Sequence, residues 1–205
     1  MPSYFADYES RNTITVLRPV EVDSVSDEAG LLRVRAVDGR SWLTRTRVNA
    51  TGTWGRPVIP HYRGQETFTG RQLHTVDYPG PAQFAGKRVL VVGGGASAVQ
   101  FLGALRPITD TIWVTRREPV WRTGGFGEVE VREAVAKVEE RVREGLPPQS
   151  VVSVTGLLLR PQEAEAERLG AYRRRPMFSQ IEATGVRWAD GTFEQVDVIL
   201  WATGF

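Results

Sequence analysis

Residues 89–98 read VLVVGGGASA, a short apolar strand that runs directly into a glycine-rich turn. The turn is Gly93-x-Gly95-x-x-Ala98, and the AVQFLGAL that continues from Ala98 can form a helix. No other segment constrains the fold as much, because strand, tight turn and helix in this order open a parallel βαβ unit. Gly93 allows the tight turn, Gly95 leaves the backbone open to a pyrophosphate, and Ala98 lets helix and strand pack closely. The helix start, with Ala96 and Ser97, offers N–H donors and partial positive charge to phosphates. Ser97 can add its hydroxyl there, or serve as an ordinary N-terminal cap. The segment therefore marks a candidate dinucleotide site.

The strand expected next, Thr111–Thr115, selects the nucleotide. An acidic residue at its end would bond the ribose hydroxyls of NAD. This chain has Thr115-Arg116-Arg117 instead. A guanidinium there can pair bidentately with a 2′-phosphate and stack on adenine, which favours NADPH. The competing reading leaves both arginines idle and turns Glu118 towards the ribose.

Composition narrows the alternatives. The 205 residues are 41% hydrophobic and 24% charged, with a net charge of +2, as in a soluble globular protein. The charge gives no reason to expect nucleic acid as a partner, and the run Arg173-Arg174-Arg175 reads as a solvated loop. No cysteine is present, which removes disulfides, thiolate metal sites and a redox dithiol from these residues. Neither a signal peptide nor an apolar run of about 18 residues is visible. A cytoplasmic protein with no membrane contact is expected, acting on a small molecule; a homodimer is compatible with the sequence.

The rest of the chain alternates between two patterns. Tyr4–Ser10 suits a short helix, and Thr13–Val22, Leu31–Val37 and Trp42–Val48 suit three strands of a meander, with Asp27-Glu28-Ala29-Gly30 as a turn. Glu128–Glu144 is expected to be a helix with Val131, Val135, Val138 and Val142 on one face. Val151–Val154 suits a third parallel strand, and residues 161–169 an exposed helix. Phe178–Ala183, Val186–Trp188 and Phe193–Val196 form a second meander, turned by Ala189-Asp190-Gly191-Thr192. Val198–Trp201 has the composition of a buried strand. Trp113, Trp188 and Trp201 are expected in the core. The predicted class is α/β: a Rossmann-like parallel sheet with helices, plus two antiparallel meanders. Each meander leads to an Ala-Thr-Gly, at 50–52 and at 202–204.

Upstream of the glycine turn, residues 68–79 read FTGRQLHTVDYP. This is Phe68-x-Gly70-x-x-x-His74-x-x-x-Tyr78-Pro79, preceded by Pro57-x-x-Pro60-x-x-x-Gly64. The pattern resembles the fingerprint of the flavin-containing monooxygenases, and the resemblance covers essentially the whole chain. Baeyer–Villiger relatives usually carry Trp in place of Tyr78. The resemblance implies a two-dinucleotide-binding flavoprotein in which NADPH reduces FAD and the reduced flavin, with oxygen, oxygenates a soft nitrogen or sulfur atom, or a carbonyl in the Baeyer–Villiger branch. It implies that Thr51-Gly52 and Thr203-Gly204 belong to chain crossings between domains, and that His74 and Tyr78 organise the domain junction and NADPH pocket. Trp54 would lie near a flavin. The cofactor carries the chemistry, so no side chain is expected to act as nucleophile or general base.

The family's first Gly-x-Gly-x-x-Gly, which would hold FAD, is not among these residues. The sequence thus reads as an internal piece, with residues 1–57 from a flavin domain and 58–205 an NADPH-binding domain, and as inactive alone. Two other functions fit the residues. One is a flavoprotein reductase of the pyridine-nucleotide-disulfide type, disfavoured by the lack of cysteine. The other is a truncated, non-catalytic NADPH-binding protein.

Overall fold

In the computed structural model, residues 2–122, 127–147 and 156–204 are described. They fall into two compact units, Met1–Gly52 and Thr53–Phe205.

The first unit holds helix α1 (Pro2–Arg11) and an antiparallel meander of β1 (Val22–Glu28), β2 (Leu31–Ala36) and β3 (Ser41–Thr44). The opening strand begins at Val22, not across Thr13–Val22 as the pattern suggests. Two causes are visible. Pro19 has no N–H for a ladder, and the β1–β2 ladder runs on through Asp27 and Glu28 to the Glu28–Leu31 pair. Only Ala29 and Gly30 then turn the chain, both at positive φ (52° and 81°), as a two-residue hairpin loop requires.

The second unit is built on five parallel strands: β4 (Arg71–His74), β5 (Arg88–Val92), β6 (Asp110–Thr115), β7 (Arg174–Pro176) and β11 (Val198–Trp201). Their spatial order is β4-β11-β5-β6-β7. The strand after β5 in sequence pairs on one side of it, and β11 returns to the other, so the order reverses between β5 and β11. The helices are α2 (Ala96–Leu105), α3 (Glu128–Arg143) and α4 (Ala164–Arg168). The second meander is β8 (Gln180–Glu182), β9 (Gly185–Arg187) and β10 (Phe193–Gln195), in the order β10-β9-β8.

Strand alternation divides the core into two layers. Val89, Val91, Val198 and Leu200 share one cluster with Ala98, Val99, Leu102 and Leu105 of α2. Leu90, Val92, Ile199 and Trp201 share the other with Ile181 and Val186 of the meander and the neighbouring Trp188. Helix therefore covers one face of the sheet and meander the other. Each fully buried Val or Leu contributes roughly 1.5–3 kcal/mol by removal from water, which explains why β5 and β11 read as continuous apolar runs. The parallel sheet, the helices and the two meanders agree with the expected α/β class.

Three expectations need correction. The valine stripe of α3 is not a packing face: Val131, Val135 and Val142 are 39%, 44% and 52% exposed, and Ala134 is the buried residue. The segment 161–169 is helical but not simply exposed, since Glu163 and Ala166 are buried. The arginine run is not simply a solvated loop: Arg173 precedes the strand, but Arg174 and Arg175 open β7, and Arg175 lies over the Trp188 ring at 3.7 Å and pairs with Glu194. The strand expected at Val151–Val154 lies outside the described residues.

Candidate dinucleotide-binding site

The reversal between β5 and β11 places a crevice at the carboxyl ends of these strands, where open parallel sheets bind ligands. The glycine turn occupies it. Gly93 has φ 143°, and a Cβ there would lie 2.1 Å from the carbonyl oxygen of Ala202, so the fold itself demands glycine. Gly95 differs. Its φ is −101°, and a Cβ would meet nothing within 4 Å. Packing does not require glycine at 95, and the space beside its backbone is open to a ligand. Gly95 is the N-cap of α2, so Ser97 sits within the first turn rather than capping it. The N–H groups of Ala96 and Ser97 have no carbonyl of their own helix behind them. Ala98 is buried in the core layer beneath. The turn is tied from below as well: the buried Trp113 donates its indole N–H to the Gly93 carbonyl at 2.7 Å.

The end of β6 lies next to this turn. Thr115 is buried, and its hydroxyl donates to the Arg117 carbonyl and accepts from Arg174 Nε at 2.8 Å. Its hydroxyl therefore shapes the bend rather than facing outwards. Arg174 also reaches the Thr115 carbonyl (3.3 Å) and the Glu118 carboxylate (2.6 Å). Arg116 and Arg117 are exposed and, among the described residues, without a polar side-chain partner. Glu118, the alternative ribose ligand, is held by Arg174.

The fingerprint residues form a joint. Phe68 is buried in the meander-side layer. A Cβ on Gly70 would lie 2.5 Å from the Asp197 carbonyl, which accepts from the Arg71 N–H. His74 is 1% exposed; its Nδ1 accepts from the Val76 N–H, leaving Nε2 to donate to the Gly204 carbonyl at 2.9 Å. Thr203 donates its hydroxyl to the Val58 carbonyl, and the Val58 N–H donates to Gly204. Tyr78 packs between Phe84 and Phe101 with its hydroxyl buried, and that burial pushes its phenol pKa up. The first Ala-Thr-Gly belongs to the other unit; there Thr51 bonds Asn49, and Gly52 has φ 66°.

Comparison with known proteins follows this geometry. Residues 1–146 match the sequence profile of the pyridine nucleotide-disulphide oxidoreductases. The chain belongs to this family. Its flavin monooxygenase homologues and structural neighbours support a place among the flavin-containing monooxygenases, of which the chain covers part. It is 29% identical to an indole-3-pyruvate monooxygenase of Oryza sativa subsp. japonica, over 91% of this chain and 53% of that one. It is 25% identical to the senecionine N-oxygenase of Tyria jacobaeae, over 77% of this chain and 26% of that one. The flavin-containing monooxygenase from Stenotrophomonas maltophilia superposes with a TM-score of 0.81 at 35% identity, covering 99% of this chain and 55% of that one. The chain thus spans about half the length of the Oryza sativa and Stenotrophomonas maltophilia proteins.

Sequence reasoning passed over Trp113 as a clamp on the glycine turn and Arg174 as a tie on the β6 end. A tryptophan two residues before the strand end was a faint signal for the first. The second had none, because β7 lies 59 residues from Thr115. A groove of about 420 Å³ opens at the amino ends of β4 and β11, lined by Arg71, Lys87 and Asp197. That is the opposite end of the parallel strands from the glycine turn. Among the described residues, no helix is long and apolar enough to cross a membrane.

Proposed function

We propose that residues 58–205 are the NADPH-binding domain of a flavin-dependent monooxygenase, and that residues 1–57 are part of its flavin domain. The observation that carries the nucleotide reading is the open space at Gly95. Glycine stands where the protein's own packing leaves room for a side chain, at the start of a helix and at the strand-order reversal. A pyrophosphate fits that position, with Ala96 and Ser97 N–H groups as donors. Arg116 and Arg117, the free guanidiniums at the end of β6, hold the 2′-phosphate and favour NADPH over NADH. His74 and Tyr78 keep the joint beside Thr203-Gly204 in register, and Thr51-Gly52 form the matching crossing in the first unit.

When bound, NADPH supplies a hydride for FAD, and FAD supplies the oxygen chemistry. The residues of this chain bind and orient the nucleotide and exclude water from it; none has to act as nucleophile or general base. A small substrate with a soft nitrogen or sulfur is the favoured class, supported by the N-oxygenase among its relatives. A disulfide reductase is the weaker reading, since the 205 residues contain no cysteine.

The test is titration of the purified chain with NADPH and NADH by calorimetry. NADPH is expected to bind more tightly. The double substitution Arg116→Ala/Arg117→Ala should cost roughly 1.5–3 kcal/mol of NADPH binding, the range for hydrogen bonds to charged groups, and little of NADH binding. Equal loss for both nucleotides would reject the 2′-phosphate assignment.

A further inference from the structure

The turn after β6 presents a conflict of charge. It offers two guanidiniums, Arg116 and Arg117, and one carboxylate, Glu118, within three consecutive residues. A 2′-phosphate needs the first two and is repelled by the third. A ribose diol is served by the carboxylate. The fold resolves the conflict from another strand. Arg174 of β7 is paired with Trp113 of β6 in the parallel ladder, which sets its side chain beside the end of β6. Its guanidinium is mostly buried, with 19% of the side chain exposed, and it makes three contacts there: Thr115 Oγ1, the Thr115 carbonyl and the Glu118 carboxylate. The neighbouring Arg175 is spent elsewhere, on Glu194 and Trp188.

We infer that Arg174 is a positioning residue that sets nucleotide preference by withholding Glu118 from the ribose and leaving Arg116 and Arg117 free for the 2′-phosphate. This rests on the 2′-phosphate reading above. A fork with three fixed acceptors is suited to the task, because it orients the bend and neutralises the carboxylate together. Glu118 is 77% exposed on its side chain, so nothing else in the described structure restrains it once the guanidinium is gone.

The experiment measures Kd for NADPH and NADH on the full chain carrying Arg174→Met, Glu118→Gln, or both. Arg174→Met should lower the preference for NADPH at least about tenfold, since it sets a released carboxylate against a phosphate. NADPH binding should weaken and NADH binding should hold or strengthen. Adding Glu118→Gln to Arg174→Met should restore the preference, because the repelling charge is gone. Glu118→Gln alone should leave NADPH favoured. Arg174→Lys, which keeps the charge pair but not the fork, should fall between wild type and Arg174→Met and guards against a misfolded methionine variant. Equal weakening of both nucleotides in Arg174→Met, or no rescue by Glu118→Gln, would overturn the inference and leave Arg174 a structural tie. Arg116→Ala/Arg117→Ala distinguishes the two levels. If it spares NADPH, the 2′-phosphate reading fails and this inference with it. If it abolishes the preference while Arg174→Met does not change it, only this inference fails.

Discussion

The two units contain the same device, a three-stranded antiparallel meander, with opposite results. In the second unit, β8–β10 and the flanking Trp188 lay Ile181, Val186 and Trp188 on one face of the parallel sheet, and all three are buried. In the first unit, β1–β3 bury Ala36 alone among the residues whose burial is described. Tyr4, Phe5, Tyr8 and Leu17 there are about half exposed or more, and Val48 is 91% exposed. Ladder hydrogen bonds are present in both meanders. Ladder bonds replace bonds to water and contribute little net stability, so the second meander, which covers apolar surface, is expected to be the better held of the two.

The comparison can be broken most directly at Gly93. Gly93→Val would drive a side chain into the Ala202 carbonyl, at a cost of about 4 kcal/mol or more. Urea unfolding of the second unit should collapse, while amide exchange in β1–β3 should be unchanged. A matching loss of protection in β1–β3 would mean that the first unit has no stability of its own. Next in size is a pair of leucines. Leu200→Ala, in the helix-side layer, should cost about 2–5 kcal/mol. Leu43→Ala, half exposed on β3, should stay within about 0.5 kcal/mol. Comparable losses would show a core in the first unit and erase the contrast.

Gly95→Asp sharpens the comparison within the glycine turn. Aspartate is a preferred N-cap and the space is open, so the melting temperature should hold. NADPH affinity should fall at least about tenfold, because the carboxylate faces the pyrophosphate. A stable variant with undiminished binding would move the nucleotide elsewhere. The smallest effect is alkaline. Burial, with the Glu163 and Glu167 carboxylates, pushes the Tyr172 phenol up, and its hydroxyl donates to the Val99 carbonyl. A raised acid binds its proton more tightly folded than unfolded. Its stabilisation is therefore complete below about pH 10, the unfolded value, and declines as pH rises above it. Tyr172→Phe should flatten that alkaline slope in thermal melts of the second unit and leave the neutral range little changed.

Much of the second unit was legible because its signals are local. The apolar run at 89–92, the glycines and the start of α2 lie within a few residues of one another, and their order dictates a strand, a turn and a helix. The same holds for Asp190-Gly191 between β9 and β10. Legibility failed where a distant partner decides. The valines of α3 have helical spacing, yet spacing states only which residues share a face, not whether anything covers it. Residues 12–21 are apolar enough for a strand, but Pro19 and the hairpin at Ala29-Gly30 set the register downstream. The resemblance pointed to Phe68, Gly70, His74 and Tyr78 without saying why those types occur. The structure supplies the reasons: core burial, a carbonyl within reach of a Cβ, a ring nitrogen on Gly204, and a slot between two phenylalanines.

The sequence by itself determined the parallel strand–turn–helix unit, the α/β class, the absence of thiol chemistry in these residues and the presence of arginines where an acid would select NAD. These follow from neighbours along the chain. Tertiary structure alone decided that Gly93 is required by packing and Gly95 is not, that Trp113 clamps the turn, and that Arg174 holds Glu118. Each of those depends on groups brought together by the β5–β11, β5–β6 and β6–β7 pairings, and contacts between strands leave no trace in local periodicity.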